Sequence, residues 1–191
     1  MSVSGYEAPH PYVRLARKQI EAYVMHKKLL SAEEALLLCE DSAIWTPGRA
    51  CFVSIKTTEG HLRGCIGTIL PSHSTLADEL LANAVAAASR DPRFLPLTEE
   101  ELPNIHVSVD ILSLPELVRS ESELDPKRYG VIVEKGNSRG VLLPNLEGVE
   151  STSEQLAIAC AKAGIRTREG ATLYRFVVER YPERDVSDER T

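Results

Sequence analysis

The sequence lacks the patterns that mark the commoner cofactor and metal proteins. Its four cysteines, Cys39, Cys51, Cys65 and Cys160, form no C-x-x-C pair, which excludes a zinc ribbon and a thioredoxin-type centre. Neither G-x-G-x-x-G nor a Walker lysine motif is present, so no dinucleotide or phosphate loop is written here and no cofactor is expected. No apolar run approaches the roughly 18 residues a membrane span needs, and the opening MSVSGYEAPH lacks the basic and apolar regions of a signal peptide. A cytoplasmic protein without membrane attachment is expected, with its cysteines as free thiols. Aromatic residues make up only 5% and the net charge is −6, which argues against nucleic acid and anionic membranes as partners. No internal repeat is visible along the chain.

What is present is a 43% apolar composition, enough for one sizeable core. Pro11 can open an amphipathic helix in which Val13, Ala16, Ile20 and Val24 recur at helical spacing. A shorter helix is expected over Ala32 to Cys39 after Ser31 as N-cap. Ala50 to Lys56 and His61 to Ile69 read as the arms of a hairpin turned by TTEG. Ser74 can cap an alanine-rich helix reaching about Ser89, whose packed face of Leu76, Leu80, Asn83 and Ala87 includes an amide that needs a partner. Pro92 ends that helix. Ile105 to Leu112 alternates apolar and polar residues, the pattern of a half-buried strand. Tyr129 to Lys135 and Gly140 to Leu143 read as strands joined by GNSRG, followed by a helix from Thr152 to Ala163 with a Ser151–Glu154 capping box and Gly164 at its end. Leu173 to Glu179 reads as one last strand. Paired strands separated by helices predict an α+β fold with a largely antiparallel sheet flanked by helices.

Chemistry concentrates in HLRGCIGTIL, His61 to Leu70. On a regular strand Arg63, Cys65 and Gly67 share a face at about 6 to 7 Å spacing, so the Arg63 guanidinium could reach the Cys65 sulfur and favour its thiolate. Gly64 and Gly67 would admit a ligand or another backbone, or mark a bulge. A packing explanation stands beside this one: glycines that shape the strand, an arginine paired with a carboxylate, and a cysteine that fills a hole. A nucleophilic thiol needs a base. His61 lies about 13 Å along the strand, too far for direct contact, while His73 in a loop and His106 on another strand could approach. His106, Ser108 and Asp110 are not a triad, since alternate strand residues cannot form a hydrogen-bonded relay; they read as a polar strand face. His61, Cys65 and His73 have no recognised metal-ligand spacing.

The stretches PYVRLARKQIEAYV, LRGCIGT, AASRDPRF, SVDIL, LDPKRYGVIVEKG, RGVLLPNLEGV and LYRF occur in this order and resemble the AMMECR-type domain family, in particular its bacterial form, the AmmeMemoRadiSam system protein A. The resemblance spans residues 10–181, leaving 1–9 as an N-terminal extension and 182–191 as a charged tail expected to be mobile. It implies a single domain with a larger and a smaller lobe, a cleft near the LRGCIGT strand, and work alongside a Memo-like protein, itself similar to extradiol dioxygenases, and a radical SAM enzyme. Carried over residue by residue, Arg63 and Cys65 become candidate catalytic residues, and Gly64, Gly67, Asn83, Asp91, Arg93 and Phe94 candidate binding residues, with Gly140, Pro144 and Gln155 as weaker matches.

Two functions follow as expectations. One is an accessory or substrate-binding subunit that uses the cleft without a base. The other is a thiol-dependent enzyme with Cys65 as nucleophile or redox centre and a small anionic or aromatic substrate, its anion held by the planar forks of Arg63 and Arg93.

Overall fold

Caps and breaks in the sequence set the element order of the computed structural model, which describes residues 9–39, 41–46 and 48–183. Pro11 starts helix α1 (Pro11–His26), and Ser31 closes a capping box with Glu34 on α2 (Ala32–Leu38). Strands β1 (Ala50–Thr57) and β2 (Leu62–Gly67) form a hairpin that turns through Gly60 at φ +88°. Helix α3 (Leu76–Ser89) is capped by Thr75, whose hydroxyl accepts the Asp78 N–H at 3.1 Å, rather than by Ser74. Strands β3 (Ile105–Leu112) and β4 (Glu116–Val118) follow, then the hairpin of β5 (Gly130–Lys135) and β6 (Ser138–Leu142), helix α4 (Thr152–Lys162), β7 (Thr172–Phe176) and β8 (Val178–Pro182).

The fold is α+β, with two four-stranded sheets in the orders β2-β1-β3-β8 and β4-β7-β5-β6. The chain divides into two compact units, a larger one of residues 1–111 and 180–191 and a smaller one of 112–179. In the larger unit α1 and α3 bury Val13, Ile20 and Leu80 against Val53, Ile55, Val107 and Val109. In the smaller, Leu156 and Ala159 of α4 pack with Val131, Val133 and Leu142.

One expectation about strands is corrected. The stretch Leu173 to Glu179 is not one strand but two, β7 and β8, assigned to different sheets. The break falls at Val177, whose N–H donates to Ser113 Oγ at 3.0 Å and whose carbonyl accepts the Ser113 N–H at 2.9 Å, so the ladder changes partner there. Of the expected tail, residues 182 and 183 are described. Pro182 ends β8, and the Glu183 carboxylate accepts the Val107 N–H at 2.7 Å and lies 3.6 Å from Arg17; residues 184–191, like 1–8, lie outside the described residues.

The structure also contains a repeat that the sequence hides. Each unit runs hairpin, helix, strand, as β1-β2-α3-β3 and β5-β6-α4-β7, and each places the first hairpin strand between the other two. Registers coincide: Ile55 lies opposite Gly64 in one hairpin, and Val133 opposite Gly140 in the other. A Cβ on Gly64 would run into the Ala87 carbonyl of α3, and one on Gly140 into the Ala159 carbonyl of α4. Glycine is therefore required wherever the helix crosses the edge strand at this distance. One turn before each of these alanines a buried amide pins the hairpin: Asn83 Nδ2 donates to the Cys51 carbonyl at 3.0 Å, and Gln155 Nε2 to the Tyr129 carbonyl at 2.7 Å. Only backbone geometry is shared, so the residue types diverge and no repeat is legible in the letters.

Candidate functional site

On β2 the side chains alternate. Gly64 and Ile66 face the helices, while Arg63, Cys65 and Gly67 face the other way. On β1 the same outer face carries Ser54, directly opposite Cys65. The Ser54 hydroxyl donates to the Cys65 sulfur at 3.1 Å. Cys65 is half-buried, whereas Cys39, Cys51 and Cys160 are buried; burial pushes the Cys39 thiol upward and Cys51 up to about 12. Those buried cysteines are core residues.

As an edge strand, β2 needs partners for its outward backbone groups. The DPRF turn supplies one. Asp91 accepts the Cys65 N–H at 2.9 Å, the Arg93 N–H at 3.1 Å, and the Arg93 guanidinium at 3.0 Å from Nε and 2.7 Å from Nη2. These donors, the Arg93 side chain first, hold the Asp91 carboxyl well below the usual carboxylate range against the opposing effect of burial. Arg93 also reaches the Cys65 carbonyl at 3.4 Å, yet 55% of its side chain stays exposed while that of Asp91 is almost fully buried. A second pair of the same kind joins β3 and β8: Arg180 Nε and Nη2 each donate to Asp110 at 2.7 Å, with the Arg180 side chain 64% exposed above a buried carboxylate. Hydrogen bonds to their aspartates raise the pKa of both arginines, and a Coulombic interaction with Cys65 adds to each.

Arg63 is the principal correction. Its guanidinium does not engage the sulfur. Nε and Nη2 grip Glu101 at 2.6 and 3.0 Å, and Nη1 donates to the Leu95 carbonyl at 3.0 Å. A bidentate carboxylate satisfies the fork, so Arg63 fastens the segment after DPRF onto β2. Gly64 and Gly67 make room for protein: the α3 backbone at Gly64, and the Phe52 ring together with the Cys51 carbonyl at Gly67. Asn83 points to Cys51 in the core, with Sγ at 3.5 Å beside the carbonyl, and not to the outer face. Phe94 is half-buried with the Arg63 and Arg93 guanidinium carbons 5.9 and 5.5 Å from its ring centre, cation–π distances that hold both arginines in place. Gly140 and Gln155 serve the equivalent packing in the smaller unit. Thus Cys65, Asp91 and Arg93 come together, with Phe94 supporting them, while Gly64, Gly67 and Asn83 build the scaffold beneath.

Sequence reasoning missed Ser54, Arg180 and Glu101. Asp110 reads from the sequence as part of a polar strand face. Arg180 lies one residue past the expected last strand, and the β3–β8 pairing brings it to Asp110. Among the described residues no histidine contacts the sulfur: His73 bonds Glu79 and His106 lies 3.9 Å from Glu183. No group of three or more histidine, cysteine or acidic side chains there could hold a metal ion, and no helix is long and apolar enough to cross a membrane.

Residues 13–181 match the AMMECR1 family. A protein of Thermotoga maritima is 50% identical over 173 residues, covering 90% of this chain and 97% of that one. A Clostridium acetobutylicum protein is 45% identical over 176 residues, which are 91% of this chain but only 36% of that longer protein. The crystal structure of an uncharacterized protein from Pyrococcus horikoshii superposes with a TM-score of 0.76 at 32% identity, covering 90% of this chain and 89% of that one. With the match extending through both units, from α1 to β8, this chain belongs to the AMMECR1 family.

Proposed function

We propose that the outer face around Cys65 binds a small anionic group, and that the chain serves as an accessory or substrate-binding subunit to a Memo-like protein and a radical SAM enzyme. One observation carries the reading: Arg93 and Arg180 are each clamped from behind by a buried aspartate, which fixes the guanidinium while leaving its outer edge exposed. An arginine held this way loses little freedom on binding and presents parallel N–H groups suited to a carboxylate or phosphate. Cys65 would line the floor beside them, its S–H suited to the same ligand while the Ser54 hydroxyl donates to the sulfur from behind. The partners rest on the family resemblance, and the separate length of the Clostridium relative fits a domain that works with other protein modules.

A thiol enzyme is the second reading, favoured by the exposure of Cys65 relative to its three buried counterparts and by the Ser54 contact. It lacks a general base at the sulfur. The two readings separate when the Memo-like protein of the same organism is added. The subunit reading predicts sub-micromolar association, a free energy near about −8 kcal/mol, weakened more by Arg93→Glu than by Cys65→Ser because a reversed charge at a complementary surface is costly. Light scattering and calorimetry measure it. Absence of a complex at tens of micromolar, with turnover of cell-extract metabolites that Cys65→Ser abolishes, would instead establish the enzyme.

A further inference from the structure

Away from the Cys65 face, α1, α3 and the loop before α3 enclose an open cavity of about 770 Å³, within the range of small-molecule sites. Its frame is rigid. Gln19, fully buried on α1, donates to the Lys28 carbonyl at 3.1 Å and accepts the Leu30 N–H at 3.0 Å, folding that segment back to form one wall. Glu79 of α3, also fully buried, gathers the opposite loop. Its carboxylate accepts the Thr68 hydroxyl, the backbone N–H groups of Ser72 and His73 at 2.8 and 2.9 Å, the Ser72 hydroxyl at 3.1 Å, and His73 Nδ1 at 3.0 Å. Burial alone would push the Glu79 carboxyl upward, but these donors together bring it below the usual value.

In the neutral imidazole, the contact of His73 Nδ1 with the Glu79 carboxylate puts the proton on Nδ1 and the lone pair on Nε2. The imidazole is 43% exposed at the cavity edge. Beside it the exposed Asp78 carboxylate accepts the Thr75 hydroxyl at 2.7 Å and keeps acceptor capacity. This end of the cavity thus offers acceptors and negative charge. Leu29, Leu81 and Val85 form an apolar wall next to it. Arg90, the cation lining the cavity, sits at the far end of α3, about 18 Å along the helix axis from Asp78, too distant to neutralise the head of the same small ligand.

We propose that this cavity binds a small primary amine with an apolar body, its ammonium donating to His73 Nε2 and the Asp78 carboxylate and its body lying on Leu29, Leu81 and Val85. The site is independent of the anion site at Cys65. Phenethylamine is the probe and its isosteric anion, 3-phenylpropionate, the control, each titrated into the full chain and followed by amide NMR shifts. Phenethylamine should bind saturably with shifts at His73, Asp78, Leu81 and Val85, at least about tenfold tighter than the control, a difference of about 1.4 kcal/mol. His73→Phe and Asp78→Asn should each weaken it several-fold in a chain that stays folded, with a small fall in the unfolding midpoint because one loses a donor to buried Glu79 and the other an acceptor for Thr75 in the first turn of α3. Leu81→Arg should abolish it. Equal affinity for amine and carboxylate, shifts confined to the Cys65 face, or no shift at about 10 mM probe would overturn the proposal.

Discussion

The larger and smaller units solve one packing problem in the same way and then part company on the other side of the sheet. In both, a helix lies so close to the edge strand that only glycine fits beneath it, at Gly64 and Gly140, and an amide one turn earlier, Asn83 or Gln155, ties the helix to the hairpin. On the outer face the register equates the pair Ser54–Cys65 with Ile132–Val141. The smaller unit places two apolar β-branched residues there, the choice favoured by a packed strand. The larger unit places a hydroxyl and a thiol, with Asp91 and Arg93 on the strand edge beside them. Since branched apolar residues suit the architecture, the polar pair calls for another explanation, and the paired arginines supply one.

The shared device can be broken first, and with the largest effect. Gly64→Ala and Gly140→Ala should each destabilise the protein by about 3 kcal/mol in urea denaturation, because the added methyl meets a helix carbonyl that cannot move alone. A cost below about 1 kcal/mol at either position would mean that the helix slides and that the two units are not held alike.

The amides should differ. Asn83→Leu removes a donor from the buried Cys51 carbonyl, which keeps the Thr68 N–H at 3.1 Å, and should cost about 1 to 2 kcal/mol. Gln155→Met should cost less than about 1 kcal/mol, because the buried Gln155 Oε1 has no hydrogen-bond partner and its removal offsets the lost donor. Equal losses in the same urea experiment would argue that the unpartnered oxygen carries no penalty.

A smaller effect concerns the element found only in the larger unit. The Asp91 carboxyl is depressed in the folded state, so its contribution is fully present above the unfolded value of about 4 and is lost as pH falls through the folded value. Asp91→Asn should flatten the acid limb of the stability curve below about pH 4 and leave its slope unchanged near neutrality. A wild-type and variant pair with parallel acid limbs would show that Asp91 is not clamped by Arg93.

Local signals made most elements legible: the Ser31 N-cap, the Ser151 capping box, the left-handed Gly164, and the alternation of Ile105 to Leu112 all lie within a few neighbouring residues. Long-range partners were not. Spacing along one strand points Arg63 to the sulfur two residues away, whereas its partner Glu101 arrives from a separate segment. The division of Leu173 to Glu179 between β7 and β8 depends on Ser113, far away in the chain. The glycines of LRGCIGT drew attention to the right strand, but they answer to the helix behind it and the Phe52 ring beside it.

The central claim is that Ser54 and Cys65 depart from the pattern of the smaller unit in order to bind rather than to pack. The double variant Ser54→Ile/Cys65→Val copies the smaller unit into the larger one, and inorganic phosphate is the probe, titrated into both proteins and followed by the amide shifts of Cys65 (Val in the variant) and Arg93. The variant should unfold with a free energy within about 1 kcal/mol of wild type and lose at least about tenfold in phosphate affinity, about 1.4 kcal/mol. A variant that binds phosphate as wild type does while unfolding several kcal/mol more easily would contradict it, and would make Cys65 a packing residue.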